Sequence, residues 1–228
     1  VGAGCHFSQM ERSRPKCSAS QVSGQPVNRY ESGPMSTRFN RHEIVTYYLR
    51  LHDSGLNDSH SGNISGRKEQ AFWITPSGAG AETLAAADLI KCPVDGPLGA
   101  GASLDGALHQ AVYRALPEAG AVIHSHGPYS IAMTLDGSDF RPLDFEGEYY
   151  FDTVPVLDIA FDRYTADSPA AIAAALRQVP VAIVRGHGVY ARGRGLDEAY
   201  KWSRSLESSA RIAWLARNAG VRAPGTPR

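Results

Sequence analysis

The sequence predicts a mixed α/β domain, and two observations carry that expectation. Short apolar runs, Ala71-Phe72-Trp73-Ile74-Thr75, Ala121-Val122-Ile123 and Val181-Ala182-Ile183-Val184, have the length and bounding turn residues of buried strands. Between them lie longer stretches whose apolar residues recur at helical spacing. The chain's 228 residues, 43% of them hydrophobic, suit one core with a tail.

Bulk properties narrow the function. Lys+Arg and Asp+Glu both number 23, so there is no electrostatic reason to expect nucleic acid or an anionic membrane as partner. No run reaches the apolar length of a bilayer span. The cysteines, Cys5, Cys17 and Cys92, are odd in number and scattered, which argues against a disulfide framework and for a reducing cytoplasm.

Residues 1–36 are rich in Ser, Gly, Pro, Arg, Gln and Asn and lack apolar periodicity, so a disordered extension is expected, with Met35 as an alternative start. The domain is expected over 37–219, followed by a tail over 220–228. From about Arg38 to Ser54 the positions Ile44, Val45, Tyr47, Tyr48 and Leu51 make a helical stripe that Gly55 ends. His60-Ser61-Gly62-Asn63-Ile64-Ser65-Gly66-Arg67 and Pro76-Ser77-Gly78 read as two small-residue turns joined by the strand Ala71–Thr75. Such turns can cradle an anion on backbone N–H groups or be ordinary hairpin turns, the latter favoured by composition alone. His60 reads as a polar loop residue.

The stretch 88–101 is turn-rich. A helix is expected from Ser103, a good N-cap, to about Leu116, with Asp105 in its first turn and Leu104, Leu108, Ala111 and Val112 on its apolar face. His109 reads as a packing residue. A short helix follows from Pro128. Glu146 and Glu148, in the stretch from Arg141 to Tyr150, are expected to be solvated. Val154–Leu157 reads as a strand, Pro169–Leu176 as an alanine-rich helix, and Gly188–Ala191 as an extended segment before an Arg192–Gly195 turn. Leu196–Asn218 is expected to be a long amphipathic helix.

Two of the strands run into histidines. Gly120-Ala121-Val122-Ile123 leads to His124-Ser125-His126, and residues i and i+2 of a strand share a face, so both imidazoles can close on one point. Taken alone, such a pair more often marks partly buried histidines bonded to backbone. Val181–Val184 leads to Arg185-Gly186-His187-Gly188, where flanking glycines allow a sharp bend and close approach. Three histidines ending buried strands fit a catalytic metal site with an open position.

These residues carry a resemblance. Gly62-Asn63-Ile64-Ser65, Ile74-Thr75-Pro76-Ser77-Gly78, the Ser103-x-Asp105 helix start, Val122–His126 and Arg185–Gly188 fall in the order seen in the class II aldolase/adducin family, over roughly residues 38–219. Arg141–Gly147 is most similar to short bacterial and archaeal fuculose-phosphate aldolase-like members. The resemblance implies a three-layer α/β (α+β) fold, a central, mostly antiparallel sheet with helices on both faces. It also implies a homotetramer with its sites between subunits. His124, His126 and His187 would hold zinc, with manganese, iron or cobalt also suiting the set. Asp105 would be the catalytic acid/base, standing where the aldolases have glutamate and the epimerases aspartate. Asn63, Ser77, Gly78 and Ser103 match positions that hold a substrate phosphate. Leu104 replaces a serine of that pattern, and the tail after Ala219 has no tyrosine in the place of a known proton donor.

The activity so implied is metal-dependent lysis of a ketose, above all a ketose 1-phosphate, by retro-aldol chemistry through a zinc-stabilised enediolate. Asp105 would move the proton, its pKa raised if buried. No Schiff-base lysine is needed. The same chemistry serves 4-epimerisation of ribulose 5-phosphate and decarboxylation or dehydration of a sugar acid. A non-catalytic adducin-like scaffold is the reading from a different class, and the intact histidine set stands against it.

Overall fold

The computed structural model describes residues 40–221. The expected extension over 1–36 and most of the 220–228 tail lie outside them. Helix α1 (Arg41–Asp53) is followed by strands β1 (Asn63–Lys68), β2 (Ala71–Ile74) and β3 (Ile90–Pro93), then α2 (Gly106–Ala115) and β4 (Ala121–Ser125). Two short helices, α3 (Pro128–Ala132) and α4 (Phe145–Tyr150), lead to β5 (Val156–Leu157). A 3₁₀ turn at Phe161–Arg163 runs into α5 (Tyr164–Gln178), and β6 (Val181–Val184), β7 (Gly188–Gly193) and α6 (Leu196–Asn218) complete the order.

The strands form one seven-stranded sheet in the order β3-β2-β1-β4-β7-β6-β5, antiparallel except for β5 against β6. Strand alternation divides its side chains between two layers. Val122, Ala182, Val184 and Tyr190 pack with α2 and α5 on one face, and Ala121 and Ile123 pack with α1 and the start of α6 on the other. Val181, Ile183, Val189 and Ala191 join Trp202, Leu206 and Ala210 of α6 on that second face. Burying each valine, leucine or isoleucine among these stabilises by about 1.5–3 kcal/mol. The expected three-layer, mostly antiparallel architecture is what the chain adopts.

Several local expectations change. Asn63–Arg67 is not a turn but most of β1, an interior strand paired with both β2 and β4. Its polar side chains Asn63 and Ser65 hid the strand, because they face a polar stripe on α2 instead of an apolar layer. Strand β3 was hidden among prolines and glycines, and α4 was hidden in an acidic stretch whose Asp144 supplies the N-cap. Helix α5 starts five residues before Pro169, which sits inside its first two turns. The Arg192-Gly193 pair lies in β7. Helix α2 starts at Gly106, so the N-cap is Asp105 and not Ser103. Helix α6 spans the expected residues.

Candidate metal centre

Strand β4 lies near the middle of the sheet, between β1 and β7. Its register places Asn63 and Tyr190 on either side of His124, forming a row across three strands. Tyr190 belongs to the layer under α2 and α5, so His124 faces that layer too. The Nδ1 of His124 lies 3.1 Å from the backbone carbonyl of Val189. A carbonyl only accepts, so Nδ1 carries the proton and Nε2 is left with its lone pair directed into the site.

His126 follows the end of β4. Its backbone N–H is held by the Leu56 carbonyl at 2.7 Å and by Asn57 Oδ1 at 3.0 Å. The ring stands edge-on to His124 at 4.4 Å between centroids. His187 occupies the β6–β7 turn, 4.8 Å from His124 and 5.3 Å from His126. The two flanking glycines serve different ends. Gly186 has φ +66, which a turn requires, while a Cβ at Gly188 would meet Ser125 O at 2.5 Å and the His126 and His124 rings at 2.7 and 2.8 Å. Glycine there lets the histidine-bearing segments close up.

The three histidines each offer a nitrogen, and these atoms lie within 4.8 Å of one another, with the Nε2 atoms of His124 and His126 at 2.8 Å. Two nitrogens so close need a proton or a cation between them. Zinc with bonds of about 2.0–2.1 Å would set its ligand nitrogens about 3.3 Å apart, within the range the triad spans. Burial holds all three imidazoles below the ordinary histidine pKa, His124 furthest. The neighbouring rings' charge adds to this for His124 and His126, against the partial opposition of Asp105. The triad is therefore neutral at physiological pH, the state in which imidazole ligates. The donor set fits a divalent metal.

Asp105 sits above the strand row. Although it is the N-cap of α2, its carboxylate makes no capping bond. Instead Oδ2 accepts from Asn63 Nδ2 at 2.8 Å and Oδ1 accepts from the Tyr164 hydroxyl at 2.7 Å. The Tyr190 hydroxyl lies 3.5 Å from Oδ2, and His124 Nε2 is 3.9 Å away. The side chain is 5% exposed. Burial pushes its pKa up. Attraction to the adjacent His124 ring and hydrogen bonds from the Asn63 amide and the Tyr164 hydroxyl outweigh that and leave it below the usual carboxylate value. The rise expected on burial is thus corrected: donors replace the water that burial removes.

Of the residues matched to a phosphate site, Ser77 and Gly78 form an exposed turn next to the start of α2. Ser77 N donates to Gly101 O at 3.0 Å and Ser103 N to Thr75 O at 3.2 Å, so Ser77, Gly78 and Ser103 come together on one rim. Gly78 has φ +70 and would present a Cβ to open space. Asn63 is buried, with one amide hydrogen given to Asp105 and, among the described residues, no partner for Oδ1. Leu104 is 71% exposed on the same rim. Glu146 and Glu148 are exposed on α4, as expected. His109 is buried, hydrogen-bonded to Ser65 Oγ at 2.7 Å.

Sequence reasoning missed Tyr164, Tyr190, Asn57 and Glu207. Tyr190 had a signal, a phenol inside an apolar strand that must find a polar partner when buried. Glu207, an acid within the buried stripe of α6, had the same kind of signal. It accepts from the backbone N–H groups of Tyr129 and Ser130, 2.9 Å each, and fixes the segment after His126. Tyr164 and Asn57 reach the site through tertiary structure and have no local pattern.

A family model described as the Class II Aldolase and Adducin N-terminal domain matches residues 42–214. A methylthioribulose-1-phosphate dehydratase from Acidiphilium cryptum is 35% identical over 181 residues, covering 72% of this chain and 85% of the relative. An L-ribulose-5-phosphate 4-epimerase from Salmonella paratyphi B is 28% identical, covering 68% of this chain and 75% of the relative. The crystal structure of L-fuculose-1-phosphate aldolase from Thermus thermophilus superposes with a TM-score of 0.75 at 33% identity, covering 82% of this chain and 97% of that one.

Proposed function

The chain belongs to the class II aldolase and adducin family, whose enzymes are typically zinc-dependent, and from that premise we propose that it is a metal-dependent lyase acting on a ketose 1-phosphate. The observation that supports this best is the ionised Asp105 carboxylate, 3.9 Å from the Nε2 of His124 and facing the three-histidine cluster. His124, His126 and His187 would hold the ion, which when bound supplies Lewis-acid polarisation of the substrate carbonyl. Ser77, Gly78 and Ser103, with the second amide hydrogen of Asn63, would hold the phosphate.

Asp105 accepts the proton of the hydroxyl beside the bond to be cleaved. That oxygen becomes an aldehyde oxygen, and the bonding pair passes to the carbonyl-bearing fragment. Asp105 then returns the proton to the carbon left behind. Each proton transfer runs through one carboxylate held at fixed distance, which is what general acid–base catalysis needs. Dehydration is the second reading, supported by the 35% identical dehydratase. There Asp105 takes a C–H proton beside the carbonyl, and the C–H pair forms the new carbon–carbon double bond as the β-hydroxyl departs. Asp105 passes that proton to the departing group, which leaves as water. Epimerisation uses only the cleavage half of the first scheme, and the 28% identical epimerase supports it. Before the carbon is protonated, the aldehyde rotates and re-adds by its other face, and Asp105 returns the proton to the re-formed hydroxyl.

The test is a panel of ketose 1-phosphates and their free sugars, incubated with metal-analysed protein and followed by NMR for cleavage, epimerisation and water loss. Cleavage to an aldehyde and a ketone phosphate is expected. Metal-free, inert protein would overturn the enzyme reading in favour of a scaffold.

A further inference from the structure

We propose that Tyr164 and Tyr190 are positioning residues that hold Asp105 off the metal, so that the carboxylate works as an outer base and the ion keeps its remaining positions for substrate. The inference rests on the metal-dependent reading above and concerns how this chain's own residues set the carboxylate.

Hydrogen bookkeeping comes first. An ionised carboxylate only accepts, and here it faces the Asn63 amide, the Tyr164 hydroxyl and, at longer range, the Tyr190 hydroxyl. The two phenols also contact each other. With the Tyr164 proton on Asp105 Oδ1, the Tyr190 proton is free to go to the Tyr164 oxygen or to Oδ2, and both phenolic hydrogens have an acceptor. The ionised acid thus meets a donor on each of its oxygens.

The phenols are themselves fixed. The Tyr190 ring lies flat on His124, 4.1 Å away at 2° between planes, and Tyr164 stands edge-on to His187 at 4.7 Å. Each phenol ring therefore packs directly against a ring of the triad. The carboxylate is also outside the set of donor atoms lying mutually within 4.8 Å, although one of its oxygens is 3.9 Å from His124 Nε2. It is near enough to coordinate after a small rotation. Both of its oxygens are tied down by donors on β1, β7 and α5.

A restraint of this kind predicts an unusual sign. Removing the two hydroxyls in Y164F/Y190F releases the carboxylate to join the triad, so zinc affinity, measured by chelator competition, is expected to rise about tenfold, in contrast to the usual loss when a neighbour of a metal ligand is removed. The visible spectrum of the cobalt(II)-loaded variant is expected to differ from that of the unaltered protein. Both changes are expected to vanish in Y164F/Y190F/D105N. A merely structural role for the tyrosines would instead weaken zinc binding. Unchanged or weaker zinc binding in Y164F/Y190F overturns the inference, as does a gain that survives D105N. If the unaltered protein binds no stoichiometric zinc, the metal reading itself falls, and the inference with it.

Discussion

At the start of α2, Asp105 forgoes the capping bond an N-cap aspartate ordinarily makes, a loss of about 1 kcal/mol, and spends its oxygens on Asn63 and Tyr164. A residue that gives up its local role for a tertiary one is under a constraint other than helix stability. Asp105→Asn is expected to lower kcat by roughly 10²–10⁴-fold, the range general acid–base groups command, while zinc stoichiometry by metal analysis stays at one per chain. Retained kcat would remove Asp105 from the chemistry. The single alanine variants of His124, His126 and His187 are each expected to lose stoichiometric zinc. At this scale the histidines were legible, because i,i+2 spacing on a strand and glycines in a turn are local facts. The donors to Asp105 were not, since Tyr164 is 59 residues away from it along the chain.

The strand row Asn63–His124–Tyr190 shows the same limit among elements. Apolar runs located β4 and β6, and helical periodicity located α6. The strand β1 went unread because its inward face meets Asp105, His109 and Tyr113 of α2, a polar stripe that no period of hydrophobicity records. Close approach at Gly188 gives this level its prediction. Gly188→Ala would drive a methyl group into the His124 and His126 imidazoles, so zinc affinity is expected to fall by about 10–100-fold with the far-ultraviolet circular dichroism unchanged. On the other face of the site, Glu207→Ala would leave two backbone N–H groups at the start of α3 without their acceptor, and a loss of about 1–3 kcal/mol in denaturant unfolding is expected.

For the molecule as a whole, buried histidine sets an acid limit. Burial lowers His109 from 6.5 to about 4, partly opposed by Asp105. Below pH 6.5 the unfolded chain takes up a proton that the folded one refuses until about pH 4, so this contribution to stability is full above 6.5 and is lost as pH falls. Its size is about 3 kcal/mol. His109→Asn, compared with the unaltered protein in metal-free buffer, is expected to flatten the fall of the unfolding free energy between pH 6.5 and 4; equal slopes would rule the buried imidazole out. No helix among the described residues is long and apolar enough to cross a membrane. Phe145, Tyr149 and Phe161 are exposed, and subunit contacts of the homotetramer that the family resemblance implies would cover such side chains. Light scattering is expected to give four times the 24.5 kDa chain mass, and a monomer would refute it.

Because β4 is hydrogen-bonded along both edges, its amides can trade their protons for solvent deuterium only when the sheet itself comes apart. The turn bearing His187 has no such double seam. Departure of a bound ion should therefore begin with that turn lifting away, leaving two nitrogens in place to recapture it, and the protein's grip on its metal would be timed by the opening of a few residues between β6 and β7.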